Sequence, residues 1–174
     1  MNHSDAQFGE QVTTLLPRLR RFARALTRHP QDADDLVQLA VERALTRRQQ
    51  WRPDSSLTNW MLGIVRNAWI DETRSRRRWR SVLAPKDEAA EVGDTGTDRD
   101  IEMWSIQSAL ERLPEDQRLA VALVLVEGLS YREAAHVMDV PIGTLTSRLN
   151  RGRLALQSML ADPGTTRLAH EGNR

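Results

Sequence analysis

The sequence predicts an all-α protein made of two small helical domains joined by an acidic, flexible linker. Apolar residues recur at steps of three and four along most of the 174 residues, and no run alternates at period two. Residues 1–80 carry a net charge of +6, residues 81–100 a net charge of −4, and residues 101–174 a net charge of −1. A basic block, an acidic segment and a nearly neutral block predict two modules with different partners.

Composition excludes several classes of protein. There is no cysteine, so disulfides and thiolate metal sites are excluded, and the four histidines have no metal-ligand spacing. We therefore predict no cofactor and no metal. No apolar run reaches eighteen residues and no charged-then-apolar leader is present, which predicts neither membrane insertion nor a signal peptide. These features favour a cytoplasmic protein.

The first module is predicted over residues 6–80, beginning with two helices. Residues 6–28 carry a helical apolar stripe, in which Pro17 predicts a kink or a restart. After Pro30, Asp32 is expected to cap a second helix that runs to about Arg48. Its buried side is predicted to hold Leu36, Val37, Ala40, Val41, Ala44 and Leu45. The opposite face is charged, and it is either a solvated surface or a partner site.

A loop at residues 51–56 precedes a third helix. Trp60 belongs to the apolar stripe of this helix and is predicted to lie in the core. Further along, Trp69 and Trp79 accompany an arginine run at 74–80. Aromatic rings beside clustered arginines are typical of a single-strand nucleic-acid surface, and a hydrated helix end would have the same composition.

Residues 81–100 are predicted to be the linker, and residues 101–160 the second module. A helix from Ile101 ends at Leu113, and a nearly all-apolar buried helix then runs from Pro114 to Gly128. Residues 154–160 are expected to close over their neighbours. Residues 161–174 are predicted to be a disordered tail.

A helix-turn-helix is predicted between residues 127 and 153. Ser130 and Glu133 form a capping box at its first helix, and Asp139 marks the turn. The second helix is predicted to bury Ile142, Leu145, Leu149 and Gly152. Its opposite face then carries Ser147, Asn150 and Arg151, with Thr144, Arg148 and Thr146 on the flanks. Such residue types read base edges in a major groove, although an ordinary solvated face would also carry them.

Three stretches together resemble the bacterial sigma factors of the extracytoplasmic-function (ECF) group. They are DADDLVQLAVERAL (32–45), SLTNWMLGIVRNAWIDETRSRRR (56–78) and LPEDQRLAVALVLVEGLSYREAAHVMDVPIGTLTSRLNRGR (113–153). The resemblance runs from about Phe8 to Leu160 in the order and at the spacing of the family. It implies that residues 6–80 are sigma region 2 and that residues 101–160 are sigma region 4.

The resemblance also implies the partners of each module. The second helix would bind the beta-prime clamp helices of RNA polymerase through Asp32, Asp35, Leu36, Gln38, Glu42 and Arg43. The loop and third helix would hold melted bases of the −10 promoter element through Arg52, Asp54, Ser55, Ser56, Asn59, Arg66, Asn67 and Arg74. Region 4 would contact the beta flap and read the −35 element through Thr144, Thr146, Ser147, Arg148, Asn150 and Arg151.

Family members commonly act in stress responses and are held by an anti-sigma factor, which implies such a partner for a protein that is monomeric when free. Two positions depart from the family pattern. Leu39 stands where an acidic residue is usual, and Asp139 stands where glycine is usual. The first departure removes one carboxylate from the polymerase-facing set. The second places a side chain at a turn that favours positive φ.

Two other classes of function are weighed against the sigma factor. A free-standing helix-turn-helix regulator would bind symmetric half-sites as a dimer without polymerase. No dimerisation helix or effector domain is apparent in the sequence. An enzyme such as a recombinase would need grouped carboxylates or a nucleophile. The adjacent Asp32, Asp34 and Asp35 are explained by a helix start. We therefore predict a sigma factor without catalytic residues.

Overall fold

In the computed structural model, residues 3–82 and 106–161 are described, and the chain divides into two compact units, Met1–Thr97 and Asp98–Arg174. Within the described ranges all regular secondary structure is helical, as predicted. The predicted linker and tail fall almost wholly outside these ranges. No helix within them is long and apolar enough to cross a membrane.

The first unit is built from three helices that pack on one another in all pairs. They are α1 (His3–Leu26), α2 (Pro30–Thr46) and α3 (Leu57–Val82), with a 3-10 turn (Arg48–Gln50) after α2. Their apolar stripes meet in a core whose fully buried large side chains are Leu19, Phe22, Leu26, Leu36, Met61, Leu62 and Val65. Burial of these side chains on helical periods is what fixes the three-helix packing.

Of the two alternatives predicted at Pro17, a kink or a restart, the restart does not occur, and the predicted cap of α2 by Asp32 is wrong. Helix α1 continues through Pro17 without a restart. Pro17 is exposed, so its ring lies toward solvent and the helix loses a single backbone hydrogen bond there. Helix α2 begins at Pro30 with His29 as an N-cap that makes no side-chain cap, so Asp32 lies in the first turn instead of capping. Proline at the first helical position leaves no N–H unsatisfied, which explains the earlier start.

Several apolar side chains of this unit lie elsewhere than predicted. Leu45 was placed on the buried side of α2, but it is 44% exposed near the end of the helix. Trp60 is half-buried and not fully in the core. Trp69 is buried, so it is not available to stack on bases, whereas Trp79 is 64% exposed.

The second unit contains α4 (residues 106–112), α5 (Glu115–Val121), α6 (Tyr131–Met138) and α7 (Ile142–Ala161). The start of the predicted helix at Ile101 lies outside the described residues. Helix α5 runs into a π-helical turn, Ala122–Val126, in which Leu125 is 50% exposed, so this segment is not buried throughout as predicted. Helix α7 packs on both α5 and α6. Its core members with their neighbours are Leu119, Val121, Leu123, Met138, Leu145 and Leu149.

Two contacts fix how α4, α5 and α7 meet. The buried Arg118 donates to the carbonyl oxygens of Glu111 and Leu113, the latter at 3.2 Å, and so holds the turn between α4 and α5. Gly152 lets α7 approach α5 closely, because a Cβ at this position would lie 2.8 Å from Cγ2 of Val121. The predicted closure by residues 154–160 is wrong. This segment continues α7, and Leu154 and Leu160 are exposed by 67% and 45%.

Candidate nucleic-acid interfaces

The helix-turn-helix has the geometry that its sequence predicts. Ser130 Oγ accepts from the N–H of Glu133 at 3.3 Å, and the Glu133 carboxylate accepts from the N–H of Ser130 at 2.9 Å. Asp139 adopts the left-handed region, with φ 53° and ψ 51°. The N–H of Val140 then donates to the carbonyl of Ala135 at 3.1 Å, which closes the C-terminus of α6. These bonds fix the direction in which α7 leaves the turn.

The outward face of α7 is polar, as predicted. Ser147, Asn150 and Arg151 are exposed, and the predicted flanking side chains Thr144, Thr146 and Arg148 are half-buried. Leu145, Leu149 and Gly152 are buried on the opposite side. The prediction that Ile142 is buried is wrong, since it is 45% exposed in the first turn, next to the polar residues.

Several polar groups on this face are already oriented by hydrogen bonds along the helix. The Ser147 hydroxyl donates to the Thr144 carbonyl at 3.0 Å, and the Thr146 hydroxyl donates to the Ile142 carbonyl at 2.9 Å. Arg151 Nε donates to the Ser147 carbonyl at 3.3 Å. Because their protons are engaged, the two hydroxyls can only accept further hydrogen bonds, and Ser147 Oγ already accepts one from Arg151 Nη2 at 3.5 Å. Asn150 and Arg151 carry the donors of this face.

Arg148 differs from the other predicted −35 residues. Its Nε lies 3.0 Å from a carboxylate oxygen of Asp116 on α5, and its side chain is 28% exposed. This ion pair connects α7 with α5 within the second unit. Arg148 therefore braces α7 against α5, and the predicted DNA contact of this side chain would require the ion pair to open or be shared.

The loop before α3 is a hydrogen-bonded turn with exposed side chains. The N–H and hydroxyl of Ser55 both donate to the carbonyl of Arg52, at 2.9 and 2.7 Å. Ser56 Oγ accepts from the N–H of Asn59 at 3.2 Å, which caps α3. The predicted −10 residues of this loop, Arg52, Asp54, Ser55 and Ser56, are all exposed.

The remaining −10 candidates lie on one stripe of α3. At about 100° per residue, Asn59, Arg66, Asn67 and Arg74 fall within a sector of roughly 100°. The stripe is opposite the buried Met61, Val65 and Ala68. Asn67 and Arg74 are exposed, and Nη1 of the half-buried Arg66 donates to Oδ1 of Asn67 at 3.1 Å. These polar groups thus form one stripe on α3, the helix that Ser56 caps at the end of the loop.

Helix α2 presents the predicted polymerase-facing residues, with one correction. Asp35, Gln38 and Glu42 are exposed on one face, where Gln38 Nε2 donates to Glu42 Oε1 at 3.1 Å. Leu36 is 1% exposed, because it points into the three-helix core, and so it is wrongly placed in a contact surface. A groove between α1 and α2 borders this face. It is lined by Leu16, Arg20, Arg24, Asp34, Asp35, Val37, Gln38, Val41 and Glu42.

The other two predicted polymerase-facing residues are engaged in ion pairs to α3. Arg43 lies 2.9 Å from Asp71, and Asp32 lies 3.1 Å from Arg76, which also reaches Glu72 at 2.6 Å. Burial alone would lower the pKa of the Arg76 guanidinium, but the hydrogen bond to Asp32 and the charge of Glu72 outweigh it and raise the pKa. The two carboxylates thus stabilise the charged guanidinium between α2 and α3.

The sequence analysis did not anticipate one group beside the loop. Trp51 and Trp60 flank the loop, and both pack on Phe8 of α1, with ring centroids 5.8 Å and 6.2 Å away. The sequence analysis placed Phe8 only in the apolar stripe of the first helix. Its separation from Trp51 and Trp60 in the sequence hides the contact with these two rings. The presence of a tryptophan on each side of the loop, at 51 and 60, was the available signal.

Comparison with known proteins gives each unit a counterpart. Residues 12–65 match the family described as the Sigma2 domain of PhyR, and residues 103–156 match Sigma-70, region 4. The ECF RNA polymerase sigma factor EcfG of Rhodopseudomonas palustris is 34% identical over 151 residues, covering 87% of this chain and 83% of that protein. SigM of Mycobacterium tuberculosis is 35% identical over 142 residues, covering 82% and 71%.

A solved structure agrees with both units. The sigma factor RpoE of Bartonella quintana, crystallised with the anti-sigma factor NepR, is 30% identical with a TM-score of 0.75. The match covers 90% of this chain and 98% of that one. A region 2 helical unit followed by a region 4 helix-turn-helix unit defines a sigma-70-type transcription initiation factor. This chain belongs to the ECF RNA polymerase sigma factors. It acts as a sigma factor and not as an enzyme, so the recombinase and free-standing regulator hypotheses are set aside.

Proposed function

We propose that this sigma factor reads promoter DNA with two separate surfaces and binds core polymerase with a third. The observation that carries the proposal is the alignment of exposed polar groups opposite buried stripes on both α3 and α7. On α7, a rigid helix presents Asn150 and Arg151 beside two hydroxyl acceptors, which suits base edges and phosphates of the −35 element. Arg148 contributes mainly by bracing this helix against Asp116.

The −10 surface is proposed to be the 52–56 loop together with the α3 stripe that continues from it. Its exposed amide, hydroxyl and guanidinium groups can bond the edges and backbone of a strand that has already unpaired. Extruding a base costs a few kcal/mol, so a surface that binds only the opened strand shifts the equilibrium toward the melted promoter. The sigma factor thus promotes melting through binding, without chemistry of its own.

Core polymerase is proposed to bind the α2 face formed by Asp35, Gln38 and Glu42, through the beta-prime clamp helices. The beta flap is proposed to contact the region 4 unit. This acidic face would complement basic side chains on the partner. Leu36 is left out because it is buried. Transcription by the bacterial polymerase takes place in the cytoplasm, where we expect this protein to act.

An anti-sigma factor is proposed as the second protein partner. The RpoE relative was solved with NepR, and that relative matches nearly the whole of this chain. The groove between α1 and α2, which is lined by both apolar and charged side chains, is the surface we propose for part of this contact. It includes the α2 residues proposed to bind polymerase, so the two partners would compete.

The test is run-off transcription with purified core polymerase on genomic promoter fragments. Addition of the protein should give promoter-dependent transcripts and a complex with core. Glu42→Arg should weaken the complex with core by about tenfold, because it reverses a charge on the proposed contact. Arg47→Glu, an exposed change of similar size at the end of α2, is the matched control. Absence of both a transcript and a core complex with wild-type protein would reject the proposed function.

A further inference from the structure

The segment between the 3-10 turn and α3 is held at both ends by rings that pack on one residue of α1. Trp51 precedes the loop, and its ring centroid lies 5.8 Å from that of Phe8, with the planes inclined by 46°. Trp60 lies in the first turn of α3, 6.2 Å from Phe8 in an edge-on arrangement at 70°. Aromatic pairs at these separations attract one another beyond their burial. Phe8 therefore connects the start and the end of residues 52–59.

Local hydrogen bonds alone do not account for a fixed loop. The Ser55 bonds to Arg52 and the Ser56 cap close short turns, but the side chains of the loop are exposed. Fixing an exposed backbone costs conformational entropy, which short polar turns recover poorly without a tertiary anchor. The anchor on this side of the unit is the aromatic cluster of Phe8, Trp51 and Trp60, in which Phe8 is 7% exposed.

We propose that this aromatic cluster fixes the 52–56 loop in the conformation that captures bases of the −10 element. Phe8 and Trp51 are then positioning residues for promoter selection, although neither is proposed to touch DNA. The proposal rests on the function proposed above, in which the loop reads the −10 element. It adds α1 to the determinants of −10 selectivity, through Phe8, which lies 43 positions before Trp51 in the sequence.

The chemistry of Trp51 allows a conservative substitution. Its buried Nε1 has no hydrogen-bond partner in the part of the chain that the structure describes. The contribution of this side chain to the cluster is therefore ring packing, and Trp51→Phe should retain most of it. Trp51→Ala removes the ring altogether.

Hydrogen exchange on the free, full-length protein tests the packing without DNA. Phe8→Ala should make the backbone amides of residues 51–60 exchange about fivefold faster, as expected when two aromatic contacts are lost. Leu19→Ala is the matched control, because Leu19 is fully buried on the same helix roughly 16 Å further along. Leu19→Ala should raise amide exchange across the first unit and should not raise it preferentially in residues 51–60. Equal loop exchange in the two variants would overturn the proposal.

Promoter selectivity tests the role in function. Transcription is compared between a promoter used by the wild type and versions with single −10 base changes. Phe8→Ala and Trp51→Ala should reduce discrimination between these bases about fivefold, while Trp51→Phe and Leu19→Ala should keep it. If Phe8→Ala discriminated between the −10 bases as the wild type does, and the wild type were active, the proposed role of the cluster would be overturned. The proposed function would stand. A wild type without promoter-dependent transcription would instead overturn the proposed function and, with it, this role.

Discussion

The two proposed DNA surfaces are built by different means. In the second unit, a single helix is aimed by features that lie along it and before it: a capping box, a left-handed residue at 139 and the close approach at Gly152. In the first unit, the surface combines a loop with a helix stripe. It is held by residues distant in sequence, namely the aromatic cluster and the ion pairs of α3 with α2.

This difference matches what each surface is proposed to bind. A duplex presents base edges at fixed positions in the major groove, so a helix that is aligned before binding loses little entropy. A single strand is flexible, and several groups must hold its bases and backbone together. The second unit should therefore depend on local packing of α7, and the first on tertiary anchors of its loop. The predictions below test this distinction.

The largest expected effect is on the packing of α7. Leu145→Ala removes a side chain with 0% exposure, and it should lower the free energy of unfolding of the second unit by about 2–5 kcal/mol. Ile142→Ala, one turn earlier and 45% exposed, should change it by less than about 1 kcal/mol. Denaturant unfolding followed by circular dichroism measures both. Similar decreases in the free energy of unfolding for the two variants would mean that the buried side of α7 does not fix its orientation.

The close approach of α7 and α5 gives the next effect. Gly152→Ala places a Cβ against Cγ2 of Val121 and 3.3 Å from the backbone oxygen of Gln117, and it should destabilise the second unit by about 1–3 kcal/mol. Gly143→Ala on the same helix meets nothing within 4 Å, and it should stabilise by about 0.5–1 kcal/mol. Thermal melts of the two variants should shift in opposite directions. A shared direction would contradict the packing role of Gly152.

Substitutions on the proposed surfaces should separate the two DNA tasks. Arg151→Ala should weaken use of the −35 element by about 1–3 kcal/mol and leave melting of an already bound promoter unchanged. Asn67→Ala should instead reduce permanganate reactivity of the opened −10 strand while −35 protection persists. Footprinting of complexes with core polymerase measures both. If either variant impaired both elements equally, the two surfaces would not act separately.

Local patterns in the sequence predict the second unit better than the first. Ser130, Glu133 and the apolar spacing of α7 act within a turn or two, so the cap, the turn and the outward face were all predictable. The predictions that Ile142 is buried and that the segment from Leu154 covers its neighbours were wrong. Helical periodicity gives the direction of a side chain, but it does not say where the neighbouring helix ends. The closeness of Gly152 to Val121 likewise depends on packing between helices that periodicity alone does not supply.

The first unit shows the same limit more strongly. Its three helices, its charged α2 face and the burial of Leu36 follow from periodicity, whereas the resemblance placed Leu36 on a contact surface that it cannot reach. The ion pair of Asp32 with Arg76 and the packing of Phe8 on Trp51 join residues more than forty positions apart. No single-sequence pattern encodes such contacts. The composition of its segment left Trp69 open between a nucleic-acid surface and the core, and the structure places it in the core.

The smallest predicted effect concerns the turn between α6 and α7. Asp139 is the non-glycine residue with positive φ among those described, and its backbone conformation is costly for any residue with a Cβ. Asp139→Gly removes that cost but loosens the unfolded chain, so a net stabilisation of at most about 1 kcal/mol is expected. Asp139→Val should destabilise by about 1–2 kcal/mol, because β-branched residues are strained at positive φ.

Denaturant midpoints of the second unit measure this pair of variants, with Ser158→Gly and Ser158→Val at an exposed site of α7 as controls for propensity alone. At position 139 the glycine variant should be more stable than the valine variant. At position 158, inside α7, the glycine variant should be the less stable of the two. If valine lowered the denaturant midpoint no more at 139 than at 158, the left-handed turn would not be what fixes the orientation of α7. The −35 surface would then owe its alignment to Gly152 and the buried side alone.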